Sequence, residues 1–169
     1  MPALTLSHLQ QQHGVAIDTR LSAYYNGWPQ RANGPEGHEP QALNLSARWL
    51  GAMSDDQLRA WAKQHQLLSD TPIALYGSPE DNVSVAARLK QTGFTRLSTL
   101  SDALSQTDRL QKLPHFEQLV YPKWLHDLQQ GKAVAAAPAG DWKVFEAAGG
   151  APRRSLLRHI PGAGLLETH

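Results

Sequence analysis

The chain has 169 residues, 41% apolar and 18% charged, with a net charge of +1. That suffices for one domain, or one domain and a piece of another, and offers no charge field aimed at nucleic acid or a membrane surface. It contains no cysteine, which excludes disulfides, thiolate metal sites and thiol nucleophiles. No apolar run approaches the roughly 18 residues of a membrane span. Residues 1–8 lack the basic segment and apolar stretch of a signal peptide, so the chain expressed as written is expected in the cytoplasm.

Residues 4–13 read as a short helix with Leu6 and Leu9 on its apolar side, stopped at Gly14. Val15, Ala16 and Ile17 form a compact apolar run ending in Asp18, Thr19 and Arg20. This is the pattern of a buried parallel strand with polar residues at its C-terminal end. Residues 21–40 carry Gly27, Pro29, Asn33, Gly34, Pro35, Gly37 and Pro40 and are expected to be a long loop. A second short strand is expected over residues 42–45. Ser54 and Gln57 stand at capping-box spacing, and the helix they open carries Leu58, Trp61 and Ala62 on one face.

After a turn at residues 69–72 comes the stretch around which the chain is organised. Ile73 to Tyr76 is an apolar strand, a polar loop follows, and an amphipathic helix over residues 81–92 turns Val85, Ala86 and Leu89 inward. Strand, loop and helix in this order build an anion site from loop backbone and helix N-terminus. Residues 94–100 return as a strand. The succession predicts an α/β fold, a doubly wound parallel sheet with helices on both faces. Residues 101–114 are a polar connector with a partial helical pattern.

The pattern then begins again. Residues 119–131 parallel residues 4–14, residues 143–146 parallel 15–18, and residues 158–166 parallel 37–45. Three matches in one order imply an internal duplication, with residues 133–140 as a linker. The second copy has no counterpart of the Ile73 strand or of the loop and helix after it. The expected division is a first domain over 1–114, then a linker helix and the truncated start of a second unit over 115–169. Half a parallel sheet leaves apolar strand residues uncovered, so the second unit is expected to pack loosely, dock or self-associate.

V-A-I-D-T-R at 15–20, G-H-E-P-Q-A-L-N-L at 37–45, the capped helix, I-A-L-Y-G at 73–77 and A-A-R-L-K-Q-T-G-F at 86–94 together resemble the rhodanese domain. R-H-I-P-G-A at 158–163 is similar to the same family's signature for the second of these segments. The resemblance spans residues 4–162 and points to members with three tandem rhodanese domains and an export signal, which implies a periplasmic protein. It implies a rhodanese-like doubly wound sheet and a second, incomplete rhodanese-like unit. It also implies sulfane-sulfur transfer from thiosulfate. In active members a cysteine follows the central strand and heads a six-residue loop that often ends in arginine. Its thiolate becomes a persulfide and passes the sulfur to cyanide or a thiol.

Here the corresponding loop is Gly77, Ser78, Pro79, Glu80, Asp81 and Asn82, with glycine at the cysteine position and asparagine at the arginine position. Pro79 removes one N–H donor. Glu80 and Asp81 suit a helix start, by ~0.3–1 kcal/mol each, and repel an anionic substrate. The loop therefore reads as a self-capped helix start with no catalytic residue. Ser78 as a replacement nucleophile needs a general base that its neighbours do not supply. The resemblance makes Asp18, Arg20 and His38 structural residues near the loop, with His159 the match of His38.

No pair among the eight histidines has H-x-x-x-H spacing, and no metal or cofactor is expected. Trp124, Leu125 and Leu128 read as helical packing; Arg153, Arg154 and Arg158 read as a solvated basic cluster. The preferred reading is a non-catalytic rhodanese-like domain with a scaffold or interaction role. Its partners would be further rhodanese domains or a sulfur-acceptor protein, with self-association through the second unit. The alternative is a small-anion or metabolite-binding module using the degenerate loop. A hydrolase or transferase with another nucleophile lacks a nucleophile–base pair.

Overall fold

The computed structural model describes residues 1–118, 120, 122–135, 137–146 and 164–165. The chain divides into two compact units, residues 1–121 and 122–169. Among the described residues no helix is long and apolar enough to cross a membrane.

The first unit is built on five parallel strands: β1 (Ala3–Leu4), β2 (Val15–Asp18), β3 (Leu43–Asn44), β4 (Ile73–Tyr76) and β5 (Leu97–Leu100), in the order β1-β5-β4-β2-β3. Side chains alternate across a strand, so neighbouring residues of β4 serve two cores. Ile73 and Leu75 join Ile17, Leu58, Val85 and Leu89 on one face. Ala74 and Tyr76 join Leu6, Leu9, Ala16 and Leu100 on the other. The first face is covered by α3 (Ala47–Leu50), α4 (Asp55–Gln64) and α5 (Pro79–Gln91). The second is covered by α1 (Leu6–Gln11), with Tyr25 of α2 (Ser22–Asn26) against it. The unbroken apolar run of β4 follows from this double coverage.

Local signals set most of the boundaries. Ser54 caps α4 through its Oγ, which accepts from the Gln57 N–H (3.2 Å), while the Ser54 N–H donates to Gln57 Oε1 (2.8 Å). Four features depart from the sequence expectation. Residues 3–4 are an edge strand rather than the start of the first helix, because Thr5 is extended and caps α1 through the His8 N–H. The expected loop over 21–40 contains α2, which ends at Gly27 with φ +148. The Phe116 ring lies on that glycine, where a Cβ would fall 2.7 Å from it. The helix α3 follows β3 directly. Finally, α5 begins at Pro79, two residues earlier than expected, and β5 begins at Leu97 because Phe94 is buried under the end of α5.

In the second unit, α6 (Pro122–Gln129) buries Trp124, whose Nε1 donates to the Ala135 carbonyl at 2.8 Å. Asp127 bridges Lys123 and Lys132, and their hydrogen bonds hold its carboxyl below the usual range. The strands β6 (Phe145–Glu146) and β7 (Gly164–Leu165) pair in parallel, with Phe145 opposite Gly164 and Glu146 opposite Leu165. In the first unit Ile17 stands opposite Leu43 and Asp18 opposite Asn44. Under the sequence parallels drawn above, these are the same two pairings.

Candidate functional site

All strands of the first unit run the same way, so β2, β3 and β4 end at one edge, where α/β sheets place their sites. Gly77 and Ser78 leave β4 there, and Thr19 and Arg20 leave β2 beside them. The Thr19 N–H donates to the Tyr76 carbonyl at 2.9 Å, extending the ladder by one rung.

Ser78 is the N-cap of α5: its Oγ accepts from the Asp81 N–H at 3.1 Å, and its carbonyl accepts from the Asn82 N–H at 3.0 Å. Pro79 occupies the first helical position, where a missing N–H costs nothing. Glu80 and Asp81 stand in the first turn against the positive end of the helix dipole. Of the six loop residues named from sequence, Gly77 and Ser78 precede the helix and Pro79, Glu80, Asp81 and Asn82 form its first turn.

Asn82 turns inward and is buried. Thr19 Oγ1 lies 3.0 Å from the Tyr76 carbonyl and 2.9 Å from Asn82 Oδ1. A hydroxyl has one proton, so both contacts are satisfied when it goes to the carbonyl and the Asn82 amide presents its NH2 to Oγ1. Thr19 thus ties β2, β4 and α5 together at one atom. Gly77 has φ +147, and a Cβ there would stand closer to Thr19 Oγ1 than the 3.0 Å that real Cβ atoms keep, and 3.5 Å from Arg20 Cγ. The side-chain position after the central strand is filled by Thr19.

Asp18 and Arg20 form a buried fork. Arg20 Nε donates to Asp18 Oδ1 (3.0 Å), Nη2 donates to Oδ2 (2.6 Å), and Nη2 also donates to the Gly37 carbonyl (2.7 Å). Burial pulls the guanidinium pKa down, but the hydrogen bonds and charge of Asp18 outweigh it and hold it above its ordinary value. Breaking one side of such a pair costs about 3–5 kcal/mol, because the other charge stays buried. Tyr76 lies beneath, with Arg20 5.8 Å above its ring centre, and its hydroxyl accepts from the Glu39 N–H at 3.0 Å. Burial, then the Asp18 charge, pushes the phenol far above its usual pKa.

His38 is buried and committed: its ring stacks on Tyr25 at 3.8 Å, and Nδ1 lies 2.6 Å from the Tyr25 carbonyl. Arg20 thus links Asp18 to the Gly37 carbonyl, next in the chain to His38. His159, Arg153, Arg154 and Arg158 lie outside the described residues. Among those described, no three His, Cys, Asp or Glu side chains converge in a way that could hold a metal. Two surface clefts, of about 270 and 350 Å³, lie by Lys63 and Leu67 and by Pro2 and Lys90; neither is lined by any of residues 77–82.

Sequence reasoning missed Thr19 as the residue that fills the space beside Gly77. It also missed Glu39, fully buried and held by Arg109 through Nε to Oε2 (2.7 Å) and Nη2 to Oε1 (3.1 Å). No local pattern signals either, since each meets its partner from a distant segment.

No protein-family model matches the chain. Over 166 residues, 98% of its length, it is 66% identical to thiosulfate sulfurtransferase YnjE of Escherichia coli (strain K12), and it spans 38% of that protein. The crystal structure of YnjE superposes with a TM-score of 0.91 at 65% identity, covering 98% of this chain and 40% of that one. Wild-type EanB, and a cysteine-to-serine variant of it in complex with hercynine, each superpose with a TM-score of 0.84 at 26% identity, again over 98% of this chain and 40% of the other. The chain is a close homologue of part of a thiosulfate sulfurtransferase, and its five-stranded parallel sheet has the rhodanese-like fold.

Proposed function

We propose that this homologue of part of a thiosulfate sulfurtransferase is a rhodanese-like module that transfers no sulfur itself and acts as a scaffold or interaction unit. One observation carries the reading. The residue after the central strand is Gly77, and the space of its missing side chain holds the Thr19 hydroxyl. Sulfane-sulfur transfer needs a thiolate facing the donors of the loop and helix start. This chain has no thiol, and the backbone after β4 leaves no room to seat one.

The helix start supports the same reading. The Asp81 N–H is already taken by Ser78, and the first turn carries two acids. Those acids also weigh against an anion-binding role for this loop. The matching registers of β2–β3 and β6–β7 support a second part of the proposal, that the chain after residue 121 holds a linker helix and the start of another unit of the same kind. The partners that fit are further rhodanese-like domains or a sulfur-acceptor protein.

Thiosulfate and cyanide with the purified chain test the proposal. Thiocyanate is expected at the rate of the protein-free control. Turnover that stays with the chain through successive purification steps overturns it.

A further inference from the structure

The segment that follows β5 lies across the 36–41 loop, and its attachments are unlike those of the rest of the unit. None of residues 101–112 is buried, whereas Glu39, which the segment grips, is 0% exposed. Arg109 forks onto the Glu39 carboxylate, and the Leu104 N–H donates to Glu39 Oε1 at 2.6 Å. His38 and Gln111 exchange two backbone hydrogen bonds, each 2.9 Å. Lys112 pairs with Glu36 at the surface. Leu104 sits at φ +60, a left-handed conformation that a leucine rarely adopts. The segment is pinned by polar contacts, with only half-buried Ala103 and Leu104 resting on the core.

The loop beneath it is the one that reaches the sheet edge. The Gly37 carbonyl accepts from Arg20, and the Glu39 N–H donates to the Tyr76 hydroxyl. The guanidinium at that edge retains one nitrogen, Arg20 Nη1, that is buried without a partner.

We propose that residues 103–112 are a releasable strap that detaches from the 37–41 loop as one cooperative segment, while Ser101 and Asp102 stay tied to Leu4 and Leu6 and the sheet stays folded. Segments with little buried apolar surface open at lower free energy than the core. Here the opening is governed by one pin: once Arg109 leaves, Glu39 is a buried carboxylate without a counter-charge, which forces the loop outward as well. Release of the segment thereby changes the cover over Arg20 and Tyr76, coupling the strap to the edge of the sheet.

Amide hydrogen exchange of the full chain, read by NMR, tests this. In the native chain the amides of His38, Leu104 and Gln111 are expected to share one opening constant, larger than that of Leu75 and Leu89. Arg109→Ala should speed those three together by roughly a hundredfold and leave Leu75 and Leu89 unchanged. Gly37→Ala, whose Cβ would run into the Gln111 carbonyl, should free the same set from the other side. If Arg109→Ala does not fold, Arg109→Lys, which keeps the charge but loses the fork, should show the pattern with a smaller factor. Equal acceleration of Leu75 and Leu89, acceleration of Leu104 alone, or no acceleration in any variant overturns the proposal.

Discussion

The hydroxyl of Thr19 occupies the space that a side chain on residue 77 would need, and Gly77 is held at φ +147 beside it. The two positions are coupled: a hydroxyl at 19 and a side chain at 77 exclude one another with the backbone as it stands. The same hydroxyl bonds the Tyr76 carbonyl and meets Asn82, so it cannot swing away without unpairing a buried group. The absence of a thiol at this place is therefore built into the packing as well as into the sequence.

Gly77→Cys is expected to lower stability by about 1–3 kcal/mol, from overpacking and from a side chain at positive φ. Its thiol should react slowly with a thiol reagent and support no thiocyanate formation. Thr19→Ala in the same chain should recover part of the stability and speed the thiol reaction. Urea unfolding and thiol titration of the single and double variants measure both. A freely reactive thiol in the single variant, at native stability, contradicts the coupling.

Tyr76 predicts an alkaline weakness. Its folded pKa is raised above the unfolded value of 10.0, mainly by burial, so the folded state holds the phenol proton after the unfolded chain has lost it. The stabilisation it gives is fully present below pH 10.0 and is lost as pH rises above that value. The urea midpoint should therefore fall as pH rises from about 10 to about 11. The slope should be shallower in Tyr76→Phe, which starts from lower stability because the Glu39 N–H loses its acceptor.

Ser78 acts here as a helix cap. Ser78→Ala should cost about 0.5–2 kcal/mol, and Ser78→Asp should retain most of the cap. Thermal melts of the two variants separate this role from a nucleophile's, which aspartate would not replace in kind.

Several elements were legible because their signals are local. The apolar run of β4 between Pro72 and Gly77 announced a strand covered on both faces, and all four of its residues are buried. Ser54 and Gln57 are three residues apart, and their spacing alone described the reciprocal cap that forms. The turns of Gly and Pro over residues 21–40 hid α2, whose aromatic residues carry only modest helix propensity. That helix is held by what comes from elsewhere: Tyr25 stacks on His38 and donates to the Ala42 carbonyl, and Phe116 lies on Gly27.

The absence of any thiol, the parallel α/β order of elements and the acidic, self-capped start of α5 were determined by the sequence alone, since each depends on composition or on residues within one turn of each other. Only the tertiary structure decided that Thr19 fills the space beside Gly77, that Asp18 and Arg20 fork beneath the 37–39 backbone, and that Arg109 pins a fully buried Glu39. Those are facts of excluded volume and of charge removed from water. Both depend on which distant side chains are brought to the same few cubic ångströms, a quantity that no spacing along the chain contains.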